Sequence, residues 1–467
     1  MSDFKMLING ALVAGDRETG VVDPATEATF AQCPRASHAQ LDEAVAAAKA
    51  AFPGWAALPE QDRRNALLAI AAAVEAHAAE LAPLLVREHG MPMRGAMLEL
   101  MVFGMKLKGT AMQPIPVTPI EVGPGRKVEQ RYRPLGVVAA IVPWNVPLIL
   151  LANKLAPALL MGNTVVVKPA PTTSLTTLRI GELIADLVSP GVVNIIADEN
   201  DLGGALSAHP DVSMVAFTGS TATGRKVAAA ASGTIKRSIL ELGGNDPAVV
   251  FDDADVEDAA DKIFRQSLIV SGQACVAIKR VYAQDGIHDA LCNALGKRFA
   301  ESRMGSGFAE DSQFGPLQNK AQYDRVKDLL ADAAASGRTV AQGSAPDGKG
   351  YFIAPTLIAD VAHTSRIVAE EQFGPVLPIV RFAAEDDAVR MANDGPYGLA
   401  ASVFTADAER AMRVANQIVA GTVTVNKVLE MHPFIPFGGA KQSGIGVENT
   451  ELGLAEFAQL QVLDVAV

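Results

Sequence analysis

A chain of 467 residues is too long for one compact core, so two or three domains are expected. Hydrophobic residues make up 49% and charged residues 20%, the balance of a globular enzyme and not of a disordered chain. The net charge of -12 disfavours nucleic acid as a partner, because phosphate binding needs clustered Lys and Arg.

The opening stretch MSDFKMLINGALVAGDRETG has no basic segment followed by a long apolar run, so no signal peptide is expected. The longest apolar runs, such as LGVVAAIVP, fall far short of the roughly 20 residues of a membrane helix, and no membrane partner is expected. Ser37 and Gln40 read as a capping box. LDEAVAAAKAAF follows as a helix up to Pro53 and Gly54, and a second helical stretch is expected from about Glu60 to Glu88. VGPGRKVEQRYRPLG alternates polar and bulkier residues and reads as an exposed β-arm.

From Leu135 the runs LGVVAAIV, TVVVKP, GVVNIIA and SMVAFTG are short and β-branched, with helical segments between them. That alternation predicts βαβ units, a parallel sheet and ligands at the strands' carboxyl ends. It resumes after Glu241, with PAVVFDD, KRVYAQD, ASVFT and GTVTVN as strands of a second α/β domain. Cys33, Cys275 and Cys292 are sparse and lack CxxC spacing, so neither a disulfide framework nor a zinc site is expected and a reducing cytoplasm fits. The seven histidines form no HxxxH pair, so no metal is expected.

Seven segments can carry chemistry, and bland alternatives stand beside them. Cys275, in SGQACVAIKR, is a thiolate nucleophile only if its surroundings activate it; a free cysteine is more often a small core residue. PWNVPL presents Trp144 and Asn145 on a rigid turn after a strand, where the Asn amide either meets an oxyanion or caps its own backbone. Lys168 ends a β-branched strand, where a cofactor ribose or phosphate would lie, unless it is merely solvated. Gly219 and Ser220 in AFTGSTATG open a helix and make an anion site, although neither GxGxxG nor the P-loop pattern is present. Glu241 in LELGGNDP sits among apolar residues, which suits a general base with a raised pKa, or it caps a turn beside Gly243 and Gly244. Glu371 and Phe373 in EEQFGPVLP and Phe437 in PFGGAKQSGIG lie on glycine- and proline-rich loops, with core packing as the alternative for the aromatics.

Read in order, the DPAT segment at Asp23, PWNVPL, KPA, FTGS, ELGG, GQAC, EEQFGPV and FGGAKQSGIG resemble the aldehyde dehydrogenase superfamily along nearly the whole chain. The resemblance implies an NAD(P)-dependent enzyme that oxidises an aldehyde to its acid. It makes Cys275 the nucleophile, Asn145 and the Cys275 N–H the oxyanion donors, and Glu241 the base that activates water. Lys154 and Glu448 match a proton relay of some members. For the cofactor it assigns Lys168 to the adenosine ribose, Gly219, Ser220 and Trp144 to the pyrophosphate side, and Glu371 and Phe373 to the nicotinamide ribose, with Leu242 beside them. It places Val146, Leu150, Asn153, Met431, His432 and Phe437 along the substrate channel. That mainly apolar lining points to an aromatic or medium-chain aldehyde, with a semialdehyde or a CoA-acylating reaction as alternatives.

The implied fold is α/β: a Rossmann-like cofactor domain (1–116 and 135–240), a catalytic domain (241–445) and an oligomerisation arm (117–134 and 446–467). A homodimer or homotetramer follows. One departure bears on the cofactor. Many NAD-preferring members carry Glu three residues after the strand-end Lys, and this chain has Pro171, so NAD is expected with NADP also admitted.

Overall fold

In the computed structural model, which describes residues 3–467, two large α/β sheets meet around one cleft. The first sheet has eight strands, in the order Ala11–Val13, Met6–Ile8, Val193–Ile195, Thr164–Lys168, Val137–Ile141, Val212–Thr218, Arg237–Glu241 and Gly444–Ile445. Its five central strands run parallel. VVAAI and TVVVK are buried at every residue, which is why they show no polar alternation. Strand order reverses at Val137–Ile141, so a crevice opens there at the carboxyl ends. Register sets Ile141 beside Lys168 and Phe217, and Thr218 beside Glu241. Four strand ends are thus brought into one row.

The helix Pro147–Leu160 is apolar nearly all round and buried at every residue except Ile149. It packs against the helix Met93–Met112 and the adjoining strands. The second sheet runs Arg338–Gln342, Thr356–Ala359, Val376–Phe382, Ile278–Gln284, Asp246–Val250, Ala400–Phe404 and Thr422–Val425. Only its first pair is antiparallel. A separate three-stranded sheet joins Thr118–Ile120, Arg126–Pro134 and Ala458–Ala466.

Several expectations are corrected. The stretch from Glu60 to Glu88 is two helices, Glu60–Ala76 and Ala78–His89, bent by 75° at His77. The apolar spacing runs on through the break, from Val74 to Leu81, so periodicity hides it. The cause is tertiary: both halves pack on Met93–Met112 and Leu175–Ile184, but the first also meets Pro147–Leu160 and the second the Arg17–Asp23 strand. The first helix does not stop at Pro53 but continues to Ala56, because a proline in the last turn breaks little of the hydrogen-bond ladder. The arm also begins later than residue 446: Gly444–Ile445 adds to the first sheet's edge, the helix Thr450–Glu456 follows, and the arm strand starts at Ala458.

Candidate active site

The turn after Val137–Ile141 is held from several sides. Val142 N donates to Lys168 O at 3.0 Å. Pro147 occupies the first turn of the next helix, where its missing N–H costs nothing. Glu99, buried on Met93–Met112, caps that helix by accepting from Leu148 N at 2.6 Å. His89 Nε2 meets Asn145 O at 2.7 Å, and burial lowers this imidazole to about 4, so it is neutral and donates. Asn145 is buried, and its Nδ2 donates to Gln273 O at 2.9 Å. One amide hydrogen is used by that bond, and the second is free for an oxyanion.

Gln273 lies two residues before Cys275. The chain reaches it through Val270 (φ 50), Ser271 (φ 58) and Gly272 (φ 76), three consecutive left-handed residues. Such strain persists where surroundings over-determine it, and here it aims the loop. A Cβ at Gly272 would collide with the Gly374 carbonyl. Ser271 Oγ donates to Gly315 O at 2.8 Å, and Gln273 Oε1 accepts from Gln318 N at 2.9 Å.

Glu241 closes the site from the end of Arg237–Glu241 and is 3% exposed. Neither carboxyl oxygen meets a nitrogen or oxygen donor, and its hydrogen-bonding neighbour is the Cys275 thiol. Burial first, then the Glu448 charge, raises this carboxyl to about 8. Burial and the Glu241 charge push the Cys275 thiol well above its ordinary value, and Lys279 pulls the other way.

A cavity of about 310 Å³ opens over these groups, lined by Trp144, Asn145, Gly219, Ser220, Glu241, Leu242, Cys275, Glu371 and Phe373 among others. Nine of the expected site residues therefore meet in one space. Ser220 caps the helix Thr221–Ser232, accepting from Thr223 N at 3.3 Å. Glu371 Oε1 accepts from Gly244 N at 2.9 Å, and a Cβ at Gly243 would stand 2.6 Å from its other oxygen. Trp144 and Phe373 meet edge to face at 5.5 Å. A helix start, a carboxylate and an aromatic rim fit a nicotinamide dinucleotide.

The remaining expected residues lie off this cavity. Lys154 Nζ donates to Thr218 Oγ1 at 2.6 Å and stands 3.2 Å from Glu448 Oε1, a buried pair behind Thr218 on the cavity wall. Asn153, expected to line the channel, donates instead to Glu448 Oε2 at 2.7 Å. Leu150 and Phe437 are buried, Val146 is half-buried, and Met431 and His432 are exposed. Lys168 is 4% exposed and bound to Asp198 Oδ1 at 2.7 Å. His89, Glu99 and Lys279 were missed. No local pattern marks them, because each stands in an element that carries other charged residues.

A model of the aldehyde dehydrogenase family matches residues 13–463. The lactaldehyde dehydrogenase of Escherichia coli (strain K12) is 37% identical over 476 residues, covering 98% of each chain. A mitochondrial succinate-semialdehyde dehydrogenase of Arabidopsis thaliana is 37% identical over 447 residues, covering 94% of this chain and 85% of its own. The crystal structure of a betaine aldehyde dehydrogenase from Staphylococcus aureus with NAD+ superposes with a TM-score of 0.94 at 31% identity, covering 100% of this chain and 95% of that one.

Proposed function

This chain belongs to the aldehyde dehydrogenase family, and from that premise we propose how its own residues carry an aldehyde to the acid. It is an NAD(P)-dependent oxidoreductase acting on an aldehyde. The observation that carries the mechanism is the meeting of Cys275, Glu241 and Asn145 in one cavity.

Cys275 Sγ attacks the aldehyde carbon. A C–S bond forms, the thiol proton passes to the Glu241 carboxylate, and the carbonyl oxygen becomes an oxyanion. Asn145 Nδ2 and the Cys275 backbone N–H hold that oxygen. NAD(P), when bound, supplies the hydride acceptor. Loss of hydride restores the C=O as a thioester on Cys275. Once Glu241 has given up the thiol's proton, it takes a proton from water, the resulting hydroxide attacks the thioester, and the C–S bond breaks to release the carboxylic acid and return Cys275. Lys154 and Glu448 lead the proton away from Glu241 through buried groups. Glu241 also argues against a CoA-acylating reaction, which a hydrolytic base would short-circuit.

For the cofactor we favour NAD. Position 171 lacks the usual carboxylate, but Asp198 bonds Lys168 from the neighbouring strand's end, and a 2′-phosphate there would meet its charge. For the substrate we favour a hydrophobic aldehyde, because the positions that the family pattern assigns to the channel, Val146, Leu150 and Phe437 among them, carry apolar side chains. The semialdehyde alternative is supported by the plant relative's substrate. Residues 1–116 and 135–240 serve the cofactor and 241–445 the chemistry. The arm joins copies of the chain into a dimer or tetramer. A cytoplasmic setting agrees with three free cysteines and with the finding that no single described helix is long and apolar enough to cross a membrane.

The test is formation of reduced nicotinamide across aromatic, aliphatic and semialdehyde substrates, with NAD and NADP in parallel and Cys275→Ala as control. Turnover that requires Cys275, highest with apolar aldehydes and NAD, is expected. Equal turnover by Cys275→Ala would sink the mechanism, and preference for a semialdehyde would sink the substrate assignment.

A further inference from the structure

Lys279 lies four residues beyond the nucleophile, on the strand Ile278–Gln284, and is 2% exposed. A buried ammonium is costly unless its protons are matched. Here Nζ donates to Ala274 O at 2.7 Å, Cys275 O at 2.7 Å and Ala277 O at 3.2 Å, one partner for each hydrogen. Nζ also stands 3.8 Å from Glu371 Oε1 and 5.9 Å from the Phe373 ring centroid. Three carboxyls stand around the thiol: Glu241 from the end of Arg237–Glu241, Asp246 from Asp246–Val250, and Glu371 from the loop after Arg366–Ala369; Arg325, on Lys320–Ser336, lines the same cavity and donates to Glu371 O at 3.1 Å. Of the groups acting most strongly on the Cys275 thiol, Lys279 is the cation, opposed by Glu241 and Asp246.

We propose that Lys279 is a positioning residue for the nucleophile: its ammonium ties together the carbonyls flanking Cys275 and supplies the positive charge that lets a thiolate exist among three carboxyls. The same ammonium, shared with Glu371, couples the nucleophile loop to the cofactor side of the cavity. The proposal rests on the reading of Cys275 as nucleophile.

The test is the rate at which iodoacetamide alkylates Cys275 in the full chain between pH 7 and 11, read on the Cys275 peptide by mass spectrometry. Lys279→Gln keeps a donor and loses the charge, whereas Lys279→Arg keeps the charge. In Lys279→Gln the alkylation midpoint should rise by about one pH unit and the rate at pH 8 fall about tenfold, because the thiolate fraction below the midpoint drops tenfold with each such rise. Lys279→Arg should stay within about threefold of the parent. A folded Lys279→Gln enzyme with an unmoved pH profile overturns the proposal. So does a folded Lys279→Arg enzyme with a raised midpoint, which decides the matter if the Gln variant does not fold. If alkylating Cys275 leaves turnover intact, the nucleophile reading itself fails; if alkylation abolishes turnover while the Gln profile is unmoved, only the role of Lys279 falls.

Discussion

Burial disfavours the ionised forms of both Glu241 and Cys275. A carboxyl at about 8 is mostly protonated at neutral pH, so the base proposed to activate water becomes available as pH rises. Hydrolysis of the acyl-enzyme should therefore accelerate with pH up to about 8 and then level off. In Glu241→Gln that acceleration should vanish and the rate drop by about 10²–10⁴-fold, the usual contribution of a positioned base. Single-turnover decay of the thioester measures this, and a Gln variant that keeps the parent's pH profile would remove Glu241 from the step. Residues of this kind were legible because they sit in short, distinctive segments: Cys275 in GQAC, Glu241 in ELGG, Asn145 in PWNVPL. Their supports were not. His89 reaches Asn145 across 56 residues of sequence, and Asn145 reaches Gln273 across 128, and nothing local marks such partners. Asn153, at a channel position in the family pattern, also bonds Glu448 through its amide nitrogen, which no local signal announces.

At the scale of elements, the helix Pro147–Leu160 depends on a buried acid for its start. Glu99 Oε1 accepts from Leu148 N, while Oε2 has no partner. Burial holds this carboxyl at about 8, against an ordinary 4.5. Between those values the folded chain keeps a proton that the unfolded chain has released. Its stabilising effect is full below about 4.5 and is lost as pH rises through about 8. Glu99→Gln cannot ionise, so its melting temperature should match the parent's near pH 4 and exceed it at pH 9. Thermal melts at the two pH values check this, and a variant that loses stability equally at both would show that the carboxyl acts otherwise. Of the elements themselves, the parallel strands were legible from their β-branched runs and the first helix from its capping box, which forms as expected. The break at His77 was not, because neither Gly nor Pro marks it and the apolar spacing continues across it. The helix Met93–Met112 was also overlooked. It exposes Met97, Leu98, Met101 and Met105, so its apolar residues do not fall on a single stripe.

For the whole molecule, the two sheets and the arm depend on pairings that no local pattern encodes. The alternation in 122–136 marked an exposed strand, but its partner is the far end of the chain, in register from Ala458 opposite Pro134 to Ala466 opposite Arg126. Ala458–Ala466 is an edge strand, and Leu460, Val462, Leu463 and Val465 are exposed on it. A long apolar edge left open invites pairing with another chain, and natural sheets seldom leave one uncovered. Covering it in a second copy is the role proposed for the arm. A chain ending at Phe457 should therefore have a lower mass by light scattering than the full chain. Its Cys275 should still be alkylated with the parent's pH profile, because the hydrogen bonds that hold the nucleophile loop come from residues outside the arm, Asn145, Lys279, Gly315 and Gln318 of the same chain. If the shortened chain keeps its mass, assembly lies elsewhere on the surface. If it assembles less and its thiol loses reactivity as well, the arm supports the site from a neighbouring copy, and the cavity described in one chain is only part of the working enzyme.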